Sequence, residues 1–240
     1  MKFAIFGDVH SNLEALNAVL EDARYHDCTH FVCIGDIVGY NANPSECLDV
    51  IQKLDCPVVK GNHDEEASLD TELVGLNPLA QKSMQWTRDN LDLNQKKYLK
   101  ELKLARHVGD FTIVHATLDS PASWGYVTSK FDALESLGYQ YTPVCFFGHT
   151  HVPAFYFKDL RMEEHQGKSI KIETGKKYQI NVGSVGQPRD GDFRSSYCIY
   201  DVDERLIINR RVGYDIKTAQ EKILKAGLPE QLAHRLAEGK

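Results

Sequence analysis

The first sixty residues alternate short apolar runs with segments of helical period, and this alternation restricts the fold more than any other feature. Phe3–Phe6 reads as a buried strand, and from Ser11 onward a helix begins in which Leu13, Leu16, Val19 and Leu20 recur at helical spacing. Phe31–Ile34 is the next strand, Pro44 opens a helix carrying Cys47, Leu48 and Ile51, and Pro57–Val59 is a third strand. Strand, helix, strand, helix, strand at this spacing predicts a parallel sheet wrapped by helices.

The rest of the chain is more mixed. Residues 78–104 keep a helical period and predict two helices, with Asn94 capping the second. Leu104–Val108 and Phe111–Val114, separated by Gly109 and Asp110, predict a hairpin. Residues 119–129 are rich in Ser, Pro, Thr and Gly and predict a surface loop, in which Trp124 and Tyr126 are either buried anchors, the commoner role, or a stacking platform for a ring. A short helix over Phe131–Leu137 precedes Val144–Phe147, Ala154–Phe157, Tyr178–Asn181, Ser196–Tyr200 and Leu206–Arg210, a strand-rich half suited to a second sheet. From Asp215 to Glu238 the chain is helical, broken near Gly227–Pro229. With no repeat and no Pro/Gly/Ser linker, residues 1–240 predict one α/β domain with a helical extension over about 215–240.

The residues just past each strand carry the chemistry. The first strand ends in Asp8-Val9-His10, the second in Gly35-Asp36, the third in Gly61-Asn62-His63-Asp64, the hairpin in His115, and a later strand in Gly148-His149-Thr150-His151. Loops beyond the carboxyl ends of strands form the ligand crevice of open α/β sheets. Each piece alone has a plain structural role: Asp caps helices, Gly and Asn make turns, and a lone His sits hydrogen-bonded in a core. Five of the ten histidines come after apolar strands in this way, and five coincidences are not a reasonable account of them. His26, His30, His107, His165 and His234 call for no function.

The ordered set DxH, GDxxG, GNHD, a single His and GHTH, spanning residues 8–151, resembles the calcineurin-like metallophosphoesterases, and within them the small prokaryotic phosphodiesterases of the YfcE type and their slightly longer relatives. Asn181-Val182-Gly183-Ser184-Val185-Gly186-Gln187-Pro188-Arg189 is similar to the glycine-rich segment that comes after the last histidines in those proteins. The resemblance implies an αββα sandwich of four layers, two mixed β-sheets face to face with helices outside, and a dinuclear metal centre at one edge. It implies that Asp8, His10, Asp36 and His151 hold one metal, that Asp36, Asn62, His115 and His149 hold the other, and that Asp36 bridges. Carboxylate, imidazole and amide oxygen suit hard or borderline divalent ions: Mn²⁺ first, with Fe²⁺, Zn²⁺, Ni²⁺ and Mg²⁺ as alternatives. The implied reaction is in-line attack on phosphorus by a hydroxide bridging the two metals, with His63 as general acid. Asp64 either orients His63 or caps the adjoining helix, the cap being the preferred role.

Several residues depart from better-known branches. Protein phosphatases of this superfamily carry an arginine after the second motif that grips phosphate; here Gly35-Asp36-Ile37-Val38-Gly39-Tyr40 has none, which counts against a Ser/Thr protein phosphatase and a dinucleoside tetraphosphatase. Arg189 can supply that contact from another loop, or form a surface salt bridge; Asn12, Tyr40 and Asn41 lie just past ligands and either line the pocket or serve the loop. A non-catalytic metal-binding interaction scaffold of the same fold is the alternative from another class, and its resemblance breaks at the histidine that His63 supplies here.

Composition sets the outer limits. At 42% hydrophobic and 26% charged the chain is not of the disordered type. A net charge of −6 argues against nucleic acid and anionic membrane as partners, and the resemblance implies a small phosphoester instead. Six cysteines without a CxxC pair suggest reduced thiols and a cytoplasmic protein, and the apolar start is too short for a signal peptide.

Overall fold

Alternation within the strands decides which way each side chain faces. The computed structural model describes residues 1–73 and 77–240. Strand β1 (Lys2–Phe6) sends Phe3 and Ile5 to one face and Ala4 and Phe6 to the other, all four buried. Both faces of β1 are covered, as its uninterrupted apolar run requires. It pairs in parallel with β2 (His30–Cys33) through the crossover helix α1 (Leu13–Tyr25), whose Leu16, Val19, Leu20 and Ala23 share a core with Ala4 and Phe6. Helix α1 starts two residues later than its periodicity predicts, because Asn12 is the N-cap: its Oδ1 accepts from the Ala15 amide at 3.1 Å.

Helix α2 (Pro44–Lys53) begins at the proline. The third apolar run does not become a strand: Val58 and Val59 each make a single bridging pair, to Cys33 and Lys103. The chain enters α3 (Asn62–Ser68) directly after Gly61, so no length is left for a ladder. Helices α4 (Pro78–Asp89) and α5 (Leu93–Glu101) come next, and Asp92 rather than Asn94 caps α5. Asp92 Oδ1 accepts from the Gln95 amide at 2.8 Å while Gln95 Oε1 accepts from the Asp92 amide at 3.1 Å, a reciprocal pair that Asn94 cannot make from inside the first turn.

The remaining strands are β3 (Ala105–Val108), β4 (Phe111–Val114), β5 (Val144–Phe147), β6 (Ala154–Lys158), β7 (Met162–His165), β8 (Ser169–Lys171), β9 (Lys177–Asn181), β10 (Ser195–Asp201) and β11 (Leu206–Val212), with α6 (Lys130–Leu137) before β5. Two mixed sheets result, ordered β2-β1-β10-β11-β8 and β3-β4-β5-β9-β6-β7. The strand-rich second half therefore does not form the second sheet by itself. Strands β10 and β11 return to the first sheet, where β10 pairs antiparallel with β1, and β3 and β4 help complete the second. The reason lies in β10: Tyr197 and Ile199 face the helix layer while Cys198 and Tyr200 face the other sheet, so it needs a central position. Strands β7 and β8 escaped the sequence pattern because each buries a single apolar residue, Met162 or Ile170.

The result is four layers. Helices α1 to α5 cover the first sheet; Phe3, Ile5, Val32 and Ile34 meet Phe111, Ile113, Phe146 and Ile180 between the sheets; and α6 lays Ala133 and Leu137 on Cys145 and Phe147 of the second. Each large side chain buried there contributes roughly 1.5–3 kcal/mol. Helices α7 (Ile216–Lys225) and α8 (Glu230–Glu238) place Ile223, Leu232 and Leu236 against Tyr40 and Ala80. No helix among the described residues is long and apolar enough to cross a membrane.

Candidate metal centre

Strands β1, β2, β4 and β5 hand the chain to turns that carry Asp8 and His10, Asp36, His115, and His149 and His151. Among these, Asp8, His10, Asp36, His149 and His151 have φ between 48° and 68°. Residues other than glycine avoid this left-handed region at roughly 1–2 kcal/mol each. So many strained turns in one place mark a site where side-chain placement overrides backbone preference.

Each carboxylate is anchored by one oxygen and leaves the other in the cluster. Asp36 Oδ1 accepts from the His63 amide at 2.8 Å, and Oδ2 lies 3.3 Å from His115 Nε2 and 3.6 Å from His10 Nε2. Asp8 Oδ2 accepts from the His149 amide at 3.1 Å, and Oδ1 is buried without a hydrogen-bond partner, 3.3 Å from His151 Nε2. Close approach is built in, since a β-carbon at Gly61 would stand 2.0 Å from Asp36 Oδ1.

The four imidazoles are oriented by backbone carbonyls. His10 Nδ1 donates to Val38 O at 3.2 Å, His151 Nδ1 to Gln187 O at 2.6 Å, His115 Nδ1 to Ile34 O at 2.9 Å, and His149 Nε2 to Trp124 O at 3.0 Å. A carbonyl only accepts, so in each neutral ring the other nitrogen carries a lone pair and points inward. Two of these inward pairs face one another: His10 Nε2 and His151 Nε2 at 3.0 Å, His115 Nε2 and His149 Nδ1 at 3.2 Å. Lone pairs this close to each other and to two carboxylates call for positive charge.

The titration of the residues shows the same demand. Burial lowers His10 well below the usual imidazole range, and lowers His149 to about 4. Burial also opposes charge on His115, but Asp36 and Asp8 outweigh it and raise that ring to about 9. Asp36 is held well below the carboxylate range, burial notwithstanding, by His115 and His63. A proton on His115 would offset only one of the two carboxylates and leave the cluster net negative. Divalent cations suit this donor set: the ligand atoms of Asp8, His10, Asp36 and His151 lie within 4.8 Å of one another, as do those of Asp36, His115 and His149. Asn62 Oδ1 is also buried without a partner.

His63 and Asp64 stand at the start of α3. His63 lines the cavity beside the cluster and its Nδ1 is buried without a partner. Asp64 is the third residue of α3 and serves that helix: Oδ2 accepts from the Gly61 amide at 3.0 Å, and Oδ1 accepts from the Ile37 amide at 2.9 Å, which pins the turn carrying Asp36.

A cavity of about 190 Å³ opens on the cluster and is lined in addition by Tyr40, His63, Asn77, Ala80, Tyr126 and Arg189. Arg189 donates to Gln187 Oε1 at 2.9 Å, and its Nε is buried without a partner. Asn12 and Asn41 are turned to structural use: Asn12 caps α1 and donates to Gly186 O, and Asn41 donates to His10 O at 2.7 Å. Neither lines the cavity among the described residues. Sequence reasoning missed Asn77 and Ala80, which arrive with α4, and the carbonyl of Trp124, which no side-chain motif records.

Comparison with known proteins points the same way. The calcineurin-like phosphoesterase superfamily domain matches residues 1–205. An uncharacterized protein of Methanocaldococcus jannaschii is 40% identical over 241 residues, covering 99% of this chain and 98% of its own. The crystal structure of a metallophosphoesterase from Sphaerobacter thermophilus is 38% identical, with a TM-score of 0.89 over 100% of this chain and 99% of that one. A hypothetical protein from Pyrococcus horikoshii, 16% identical, shares the fold with a TM-score of 0.82 over 100% of this chain and 98% of its own.

Proposed function

Because this chain belongs to the calcineurin-like phosphoesterase superfamily, we propose that it hydrolyses phosphoester bonds, phosphodiesters foremost, at the cluster built on Asp36. One observation carries the reading: Asp36 belongs to both groups of ligand atoms, and its Oδ2, left free by the hydrogen bond at Oδ1, would be available to a cation in either group. Two divalent cations there, Mn²⁺ foremost, would supply positive charge to the phosphoryl oxygens and a water whose pKa falls from 15.7 towards about 7. Asp8, His10 and His151 would hold one cation, and Asn62, His115 and His149 the other. The six unpaired, mostly buried cysteines support a reducing, cytoplasmic setting.

The other residues act on the substrate. Arg189 brings a guanidinium with an unpartnered Nε to the cavity and binds a phosphoryl oxygen that does not react. His63 supplies the proton to the departing oxygen. Burial, more than any neighbouring charge, lowers His63 to about 4, so the free site holds a neutral ring, and an arriving phosphate anion favours its protonated form. Tyr40 backs that ring, its centroid 4.5 Å from His63 and 4.8 Å from His10.

A Mn²⁺-supplemented screen of diesters, monoesters, cyclic nucleotides and dinucleoside polyphosphates tests the reading, with Asp36→Asn as the inactive control. His63→Gln is expected to keep its metal content and to lower turnover of a poor leaving group by roughly 10²–10⁴-fold. Near wild-type turnover in that variant would remove His63 from its role. Absence of turnover with two metals bound would favour the interaction scaffold instead.

A further inference from the structure

We propose that the cavity selects phosphoesters that carry a planar aromatic ring, of the nucleotide type, and that Tyr126 is the platform on which the ring stacks; the inference rests on the phosphoesterase reading. Tyr126 lies flat on the imidazole of His149, with ring centroids 4.2 Å apart and planes 27° apart. It is nevertheless 59% exposed and lines the same cavity as Asp36, His63 and Arg189. A ring with one face covered by a buried imidazole and more than half its surface open presents its other face to whatever enters.

The loop has a buried apolar anchor besides Tyr126. Its anchor is the next residue, Val127, 3% exposed and packed with Ala133, Leu137 and Phe147. The position of the ring is set in advance: Trp124 is held in the left-handed region at φ 54°, and its carbonyl accepts from His149 Nε2 at 3.0 Å. The platform is thus fixed to a residue of the cluster, and its distance to a phosphoryl group bound there does not depend on a mobile side chain. Stacking on such a ring is sequence-tolerant and is worth about 10-fold or more in affinity per base. Arg189 supplies charge to the phosphate, and Tyr126 supplies apolar area to the group beside it.

Calorimetric titration of the Mn²⁺-loaded protein with adenosine 5′-monophosphate and with ribose 5-phosphate isolates the ring, because the two probes share phosphate and sugar. The wild type is expected to bind the nucleotide about 10-fold more tightly. Tyr126→Phe should keep that ratio, and Tyr126→Leu, which retains an apolar cover on His149, should reduce it to within about 2-fold. Equal affinities in the wild type, or a ratio that Tyr126→Leu leaves intact, would overturn the inference while leaving the phosphoesterase reading in place. Failure of both probes to bind would overturn that reading, and the inference with it.

Discussion

At Gly39 a β-carbon would stand 2.3 Å from His63 Nδ1, and the backbone φ is +92°, where L side chains are strained whatever the space. The turn after Asp36 therefore approaches His63 as closely as backbone can, and the Asp36, Tyr40 and His63 placements are interdependent. Gly39→Ala is expected to destabilise the protein by at least about 1 kcal/mol through strain alone. It should also lower turnover about 10-fold or more by displacing His63, because small misplacements of a reacting group are costly. Metal content should remain, since the atoms nearest the added β-carbon belong to the His63 ring and not to the ligand atoms. Urea unfolding, metal analysis and turnover of the one variant check the three expectations together; a loss of metal with intact turnover per bound metal would contradict them.

Among the elements, α7 and α8 have the least obvious role, as the superfamily domain match ends at residue 205. Their apolar face closes over Tyr40 and Ala80, and Arg235 of α8 and Arg189 each stand 5.7 Å from the Tyr40 ring. The chain from α8 through Tyr40 to His63 is continuous contact. Leu232→Ala, at a fully buried position in α8, is expected to cost about 2–5 kcal/mol. It should also lower turnover, by up to about 10-fold, as Tyr40 relaxes. Stability and turnover measured on this variant and on a control in α5 separate the two effects: Asp92→Ala removes a capping box, should cost about 1 kcal/mol, and should leave turnover alone. Equal turnover in all three proteins would show that α8 is only a cover.

For the whole molecule, a polar tie between helix layer and sheet is made at Asp22 of α1, which accepts from the Tyr197 hydroxyl at 2.6 Å and from Arg210 Nη2 at 2.9 Å. Burial alone would raise this carboxyl, but the hydrogen bonds from Arg210 and Tyr197 outweigh it and hold it below the usual range. A depressed folded-state value means stability that is fully present above the unfolded value of about 4 and lost as pH falls through the folded one. Asp22→Asn should thus cost about 1.5–3 kcal/mol at pH 7, with the gap to wild type closing below about pH 4. Melting curves from pH 7 to 3 check this, and a gap constant across that range would refute it. Most of the strands, the main helices around them and the ordered cluster of Asp, Asn and His past apolar runs were legible in the sequence, because periodicity and motif spacing are local. The formal charge of −6 counts Asp8 and Asp36 as free anions, and bound cations would reverse the sign at that edge. Only the tertiary structure decided that β10 pairs with β1, that Val58 and Val59 make bridges instead of a strand, that Asn12 also donates to Gly186 O, and that Tyr126 is exposed where Val127 is the anchor. The orientation of the four imidazoles belongs with these, since their carbonyl partners at Ile34, Val38, Trp124 and Gln187 lie 25 to 81 residues away. A buried side chain announces in the sequence how many of its faces need covering; which distant segment covers them is settled only when the layers meet.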